Sequence, residues 1–259
     1  MQLVVLGCVT PYPAPGQPCS GYLVSDGDTH IVLDCGSGTF AALQDHLPPA
    51  EVTALWISHL HPDHSADLLA WSNWALNTPD APRITVYGPP GWAQRLNHML
   101  TGTLDTTLVD SIFDAYELRD HHTAVHGSLT LTTRAVEHSV PGFGVRVEGS
   151  NTCLAYSGDT EPCDAITDLA RDADLFLCEA GAAVPGRHHT TPYQAEQTAI
   201  TAGVHHLLLT HLALALDATA VARSPAIPTT IATPGQRWPS TQNRDRPDRA
   251  SHTAANSIT

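Results

Sequence analysis

The chain has 259 residues with 12 arginines, no lysine and 26 acidic side chains, a formal charge of −14. That length suits one large α/β domain or two small ones, and 42% apolar with only 15% charged residues excludes disorder of the chain as a whole. Without lysine, Schiff-base chemistry and a phosphate-loop lysine drop out, and the acidic balance opposes general affinity for nucleic acid, which needs basic surface to displace counterions.

A β-branched strand opens the chain at Leu3–Leu6, followed by a Gly/Pro-rich loop from Gly7 to Gly21. Strands are expected at Tyr22–Val24 and His30–Asp34, parted by the turn Asp26-Gly27-Asp28, then a short helix over Thr39–His46. Val52–Ser58 reads as a buried strand that empties into the run HLHPDH. Helical spacing of Leu68, Leu69, Trp71 and Leu76 follows within Ser65–Leu76. Ile84–Tyr87 is a strand and Pro89–Leu100 a helix. A weakly patterned stretch precedes an antiparallel-looking group, Leu129–Val136, Phe143–Val147 and Cys153–Ser157. The rest alternates: helix Glu161–Arg171, strand Asp174–Cys178, helix Pro192–Ala202, strand His205–Thr210. A helix over Leu212–Arg223 and a strand over Thr229–Thr233 complete a domain expected at 1–237. Residues 238–259, nearly devoid of large apolar side chains, read as a disordered tail. This order predicts two sheets packed inside flanking helices.

No apolar run approaches the roughly 20 residues of a membrane span, and the start MQLVVLGCVTPYP lacks the basic, then apolar, pattern of a signal peptide. A cytoplasmic protein with no membrane contact is therefore expected. The six cysteines (Cys8, Cys19, Cys35, Cys153, Cys163, Cys178) form no CxxC pair and read as reduced thiols.

Sixteen histidines are the outstanding count. In His59-x-His61-x-Asp63-His64, two histidines two apart on extended chain point the same way and can reach one metal ion. Asp63 and His64, at the break made by Pro62, can face a second ion. One such cluster cannot complete two coordination spheres, so later strand ends must contribute. His138, Asp159 and His211 each follow the C-terminal end of an expected strand, where α/β architectures collect functional groups. The remaining histidines outside 188–189 read as surface or packing residues.

These motifs, HxHxDH, a later His, a later Asp and a last His, resemble the metallo-β-lactamase fold superfamily over residues 1–211 and on to about 237. The chain is most similar to the tRNase Z-like and phosphodiesterase-like branch. The closer match lies in Cys19-Ser20-Gly21-Tyr22, Leu33-Asp34-Cys35-Gly36, SGDT at 157–160 with Pro162-Cys163, Cys178-Glu179-Ala180, and His189-Thr190-Thr191 before Gln194-Ala195. The resemblance implies a four-layer αβ/βα sandwich. It implies one ion on His59, His61 and His138, a second on Asp63, His64 and His211, and Asp159 bridging them. Nitrogen and carboxylate donors without thiolate suit two Zn²⁺ ions, with Mn²⁺ or Fe as alternatives. Two ions roughly 3.5–4 Å apart share a hydroxide at neutral pH, which Asp63 could also orient. His189 aligns with the family's general acid and Glu179 with its supporting carboxylate; His188 reads as a solvated loop residue.

Departures from the family narrow the substrate. Only 21 positions separate His138 from Asp159, already filled by a strand and the turn Gly149-Ser150-Asn151, so there is no room for the tRNA-gripping arm of a tRNase Z. Asp159 stands where zinc β-lactamases of the two commonest subclasses carry Cys, which argues against antibiotic hydrolysis. After His211, Leu-Ala-Leu-Ala-Leu-Asp replaces the usual proline-rich turn. The expectation is a metal-dependent hydrolase of a small phosphodiester or nucleotide ester. Lactone or carboxylic ester hydrolysis, tRNA 3′-end cleavage and a non-enzymatic metal-binding relative are the alternatives. The expected partner is a small-molecule ester rather than tRNA, and a homodimer is compatible with the chain without being specified by it.

Overall fold

Strand β1 (Gln2–Gly7) shows how the layers arise. Its side chains alternate, Leu3 and Val5 joining one core and Val4 and Leu6 another, so both faces must be covered. The computed structural model describes residues 1–213 and 226–238. After β1 come β2 (Val9–Thr10), β3 (Gly21–Asp26), β4 (Thr29–Leu33), α1 (Thr39–Leu43), β5 (Ala54–Trp56), α2 (Pro62–Ser65), α3 (Leu68–Asn77), β6 (Ile84–Gly88) and α4 (Trp92–Thr101). Next are α5 (Thr107–Ile112), β7 (Phe113–Glu117), β8 (Thr123–His126), β9 (Leu129–Val136), β10 (Gly142–Glu148), β11 (Cys153–Tyr156), α6 (Asp164–Ala170) and β12 (Leu175–Glu179). The described chain closes with α7 (Pro192–Ala202), β13 (Leu207–Thr210), β14 (Leu212–Ala213), β15 (Thr229–Ile231) and β16 (Arg237–Trp238).

One sheet runs β16-β1-β3-β4-β5-β6-β7 and the other β15-β13-β12-β11-β10-β9-β8. Leu3, Tyr22, Leu33 and Trp56 of the first meet Val145, Tyr156, Leu177 and Leu208 of the second in the central core. Outside the first sheet, Val32, Leu55 and Val86 pack on Trp71 of α3 and Trp92 of α4. Outside the second, Phe176 and Leu209 pack on Leu169 of α6 and Ala195 and Ala199 of α7. The expected αβ/βα sandwich is observed.

Pairing is parallel across β4-β5-β6-β7 and across β11-β12-β13-β15, and antiparallel across β9-β10-β11. The C-terminal ends of β5, β9, β11 and β13 therefore share one rim. α7 begins where the sequence places it: Pro192 occupies the first turn, and Thr191 and Gln194 form a reciprocal capping box.

The structure corrects four readings. The weakly patterned stretch holds α5, β7 and β8; the two strands are sheet edges, half exposed, so they lack the apolar runs of central strands. The helix expected over Ser65–Leu76 is α3, Leu68–Asn77, but a separate short helix opened by Pro62 precedes it, so Asp63 and His64 lie in a helical turn. Leu212 and Ala213 form a strand paired with β2 rather than starting a helix; the rest of that expected helix lies outside the described residues. Trp238, assigned to the tail, pairs with Leu3 of β1, and residues 239–259 lie outside the described residues.

Candidate metal centre

The rim of the two sheets gathers all seven predicted donors. His59 and His61 leave the end of β5, while Asp63 and His64 sit on α2. His138 follows β9, Asp159 follows β11 and His211 follows β13. Two of these turns need left-handed backbone. His211 itself has φ +57°, and Gly158, at φ +58°, precedes Asp159. A Cβ at Gly158 would stand 2.5 Å from the carbonyl of Phe143, so only glycine passes there.

One donor group comprises His59, His61, His138 and Asp159, and another Asp63, His64 and His211; within each, donor atoms lie within 4.8 Å of one another. In the first, His61 Nδ1 is 3.0 Å from His59 Nε2 and 3.2 Å from His138 Nε2, and His59 Nε2 is 3.6 Å from Asp159 Oδ2. In the second, His211 Nε2 lies 3.2 Å from Asp63 Oδ2, and His64 Nε2 3.9 Å from the same oxygen. Asp159 joins the two, with Oδ1 3.2 Å from His64 Nε2 and Oδ2 3.3 Å from His211 Nε2.

Residues behind the donors set their tautomers. His138 Nδ1 donates to the carbonyl of His188 at 2.8 Å, and His64 Nδ1 donates to Asp34 Oδ2 at 2.7 Å. Ser58 Oγ donates to Asp34 Oδ2 at 2.8 Å and lies 3.0 Å from His59 Nδ1. With their outer nitrogens donating, His59, His64 and His138 turn the lone pairs of Nε2 inward. Thr10 Oγ1 donates to Asp63 Oδ2 at 2.8 Å.

The donors fit a cation. At metal–nitrogen distances of 2.0–2.1 Å, tetrahedral ligands stand roughly 3.3 Å from each other, close to the spacings here. His64 Nε2 and Asp159 Oδ1 are 3.2 Å apart, buried, and make no hydrogen bond in the described structure, as expected of atoms aimed at a common third point.

The electrostatics agree. Burial holds the imidazoles of His59, His61 and His138 below their usual pKa, keeping them neutral and able to ligate. For His64 burial acts the same way, but Asp159 and Asp34 outweigh it and raise its pKa well above the usual value, so a cation held at Nε2 would take the place of a proton there. Burial would raise Asp63 and Asp159, yet the surrounding histidines hold both below the carboxylate range. Neutral imidazoles and ionised carboxylates are the forms in which such groups ligate a cation.

His189 and Glu179 also belong to this cluster. His189 Nδ1 donates to Glu179 Oε1 at 3.1 Å and lies 3.9 Å from Asp159 Oδ2, with its ring stacked on His211 at 5.7 Å. Glu179 is fully buried at the end of β12 and accepts the backbone N–H groups of Thr160 and Gly181. The bond to Glu179 raises the His189 pKa above the usual imidazole value, against an opposing effect of burial. His188, read from sequence as a solvated loop residue, contributes its carbonyl to His138 and has φ +74°.

Asp34 was not assigned a role from sequence. It is fully buried with φ +58° and accepts from Ser58 N at 2.6 Å, Ser58 Oγ, His64 Nδ1 and Tyr156 OH at 2.6 Å. The signal available was an acid ending an apolar strand, Val32-Leu33-Asp34, where no surface turn was predicted. Ser58, Thr10 and Tyr156 carry no sequence signal of their own.

Fold and donor set together define a metal-dependent hydrolase. The chain belongs to the β-lactamase superfamily, whose domain model matches residues 29–212. The protein Rv1339 of Mycobacterium tuberculosis, itself uncharacterized, is 38% identical over 223 residues, 82% of this chain and 81% of its own length. Among solved structures, the metallo-β-lactamase fold protein YhfI of Bacillus subtilis superposes with TM-score 0.81 at 24% identity, covering 92% of this chain and 98% of YhfI. Human tRNase Z, short form, gives 0.73 at 21% identity with 92% and 98% coverage. A diphosphatase of the PhnP family gives 0.72 at 18% identity with 91% and 96% coverage.

Proposed function

We propose that the protein hydrolyses a small phosphodiester or nucleotide ester with two divalent ions, Zn²⁺ by the nitrogen and carboxylate character of the donors. His59, His61 and His138 would hold one ion, Asp63, His64 and His211 the other, and Asp159 both. When bound, the ions supply Lewis acidity that activates water and polarises the attacked phosphoryl oxygen. Asp63, held by Thr10, orients the attacking water. His189 keeps Nδ1 on Glu179, so its Nε2 is the atom that delivers a proton to the leaving alkoxide.

The observation that carries this reading is the His189–Glu179 pair at the edge of the donor cluster. An alkoxide leaving a phosphodiester needs a proton, and the His189–Glu179 pair is the donor placed to supply it. The diphosphatase of the PhnP family, a phosphorus–oxygen hydrolase by its name, is consistent with phosphoryl chemistry on this fold. Precursor tRNA is not the substrate on this reading. The short connection between His138 and Asp159 is occupied by β10 and β11, and the chain's charge of −14 repels polyanions. A cytoplasmic setting is supported by six cysteines that form no disulfide.

The deciding experiment compares metal-loaded protein on bis(p-nitrophenyl) phosphate, a simple lactone and a precursor tRNA. Turnover of the diester well above the other two is expected. Faster lactone opening, or efficient tRNA 3′ cleavage at moderate salt, would replace the proposal.

A further inference from the structure

The loop that carries His189 between β12 and α7 is fastened by three consecutive residues, each holding a different part of the donor cluster. The His188 carbonyl accepts from His138 Nδ1 at 2.8 Å, and His189 Nδ1 donates to Glu179 Oε1 at 3.1 Å. The Thr190 hydroxyl, fully buried, donates to the Thr160 carbonyl at 2.7 Å. Thr160 directly follows Asp159 and donates its own N–H to Glu179 Oε1 at 3.0 Å. Residues 188–190 therefore reach a histidine of the first donor group, the carboxylate behind His189 and the turn of the shared aspartate. The stretch before them, residues 183–187, is exposed, so these bonds are what hold this end of the loop to the cluster.

The backbone of His188 joins the first two of these bonds. The peptide unit between His188 and His189 is planar, so the His188 carbonyl oxygen and the Cα of His189 belong to one rigid body. A carbonyl pinned on His138 therefore also fixes where the His189 side chain starts. His188 adopts φ +74° to make this fit. Left-handed backbone is unfavourable for a residue with a side chain and persists where surrounding contacts over-determine it.

We propose that His188 is a positioning residue that couples loading of the first metal site to placement of His189. With His59, His61 and His138 ligated, the His138 ring is fixed, its Nδ1 holds the His188 carbonyl, and the shared peptide plane holds His189 on Glu179. This rests on the metal-dependent hydrolase reading above and adds an order to it: the acid is set when the first site fills. The coupling is reciprocal. The factor by which the fastened loop tightens metal binding is the factor by which bound metal favours the fastened loop.

The test is trypsin cleavage of the Arg187–His188 bond with and without saturating Zn²⁺, timed against a free-peptide standard, beside Zn²⁺ affinity from chelator competition. In wild-type protein Zn²⁺ should slow this cleavage by about 10–100-fold, the worth of an outer partner to a ligating histidine, because cleavage follows the open population of a loop that recloses quickly. His188→Val, β-branched and so disfavoured at positive φ, should weaken the first site by about the same factor and lose most of the protection, while the second site moves only a few-fold. Stabilisation of the whole fold by Zn²⁺ would persist in that variant, so the lost protection reports the loop itself. His188→Gly keeps both the carbonyl and the conformation and should match wild type. Equal Zn²⁺ protection in wild type and His188→Val, or a Gly variant as impaired as Val, overturns the proposal. Should His188→Val fail to fold, wild-type protein decides alone: Zn²⁺ binding without protection at Arg187 removes the coupling and leaves the hydrolase reading intact. A protein that binds no Zn²⁺ takes down both.

Discussion

On the two-ion proposal, replacing Asp34 by Asn should weaken one metal site and spare the other. The carboxylate accepts four hydrogen bonds, from Ser58 N, Ser58 Oγ, His64 Nδ1 and Tyr156 OH, all between 2.6 and 2.8 Å. An amide offers one acceptor oxygen and two donor hydrogens in the same space. Tyr156 and Ser58 can rotate to accept. His64 can comply only by moving its proton from Nδ1 to Nε2, which removes the lone pair that faces Asp63 and Asp159. Loss of such an outer partner typically costs 10–100-fold in metal affinity, about 1.4–2.8 kcal/mol. Stepwise binding constants from chelator competition should show that loss at the site formed by Asp63, His64 and His211. The site of His59, His61 and His138 should move only a few-fold, through the longer Ser58 link. Tyr156→Phe removes one of the four donors and should give a smaller loss at the same site. Equal weakening of both sites, or none at either, would refute the account of Asp34 as the group that orients His64.

Purified protein at saturation should hold close to two equivalents of divalent metal, with His59→Ala and His64→Ala each weakening a different site in the same titration; one equivalent would end the dinuclear proposal. His189→Ala should leave metal content intact and slow a poor leaving group by roughly 10²–10⁴-fold, with a smaller loss on a nitrophenolate that departs without a proton, and Glu179→Gln should show a milder form. Equal losses on both leaving groups would assign His189 to binding or folding instead. Gly158→Ala places a methyl 2.5 Å from the carbonyl of Phe143 at φ +58°. Its melting temperature should fall by several degrees, the effect of about 1–3 kcal/mol in a chain of this size, and an unchanged value would mean the turn yields easily.

The donor residues were legible because each ends a strand that the sequence marks clearly. Leu207–Thr210 before His211 and Cys153–Tyr156 before Asp159 are buried on both faces, so they read as apolar runs with an abrupt polar stop. HLHPDH adds a proline that opens α2, so the neighbouring donors His59, His61, Asp63 and His64 are set by chain geometry within six residues. Edge strands β7 and β8 were not legible, because a strand with one exposed side needs little apolar patterning.

What only the tertiary structure decided are the contacts made across long stretches of chain. Asp34 meets Tyr156 across 122 positions, His138 meets the His188 carbonyl across 50, and Thr10 meets Asp63 across 53. A residue's type and spacing announce that it can ligate or donate. Which nitrogen of a histidine carries the proton depends on the partner behind it, and that partner is chosen by how two sheets pack. The candidate donor set was therefore legible in the sequence, whereas packing determined the direction in which each candidate donor points.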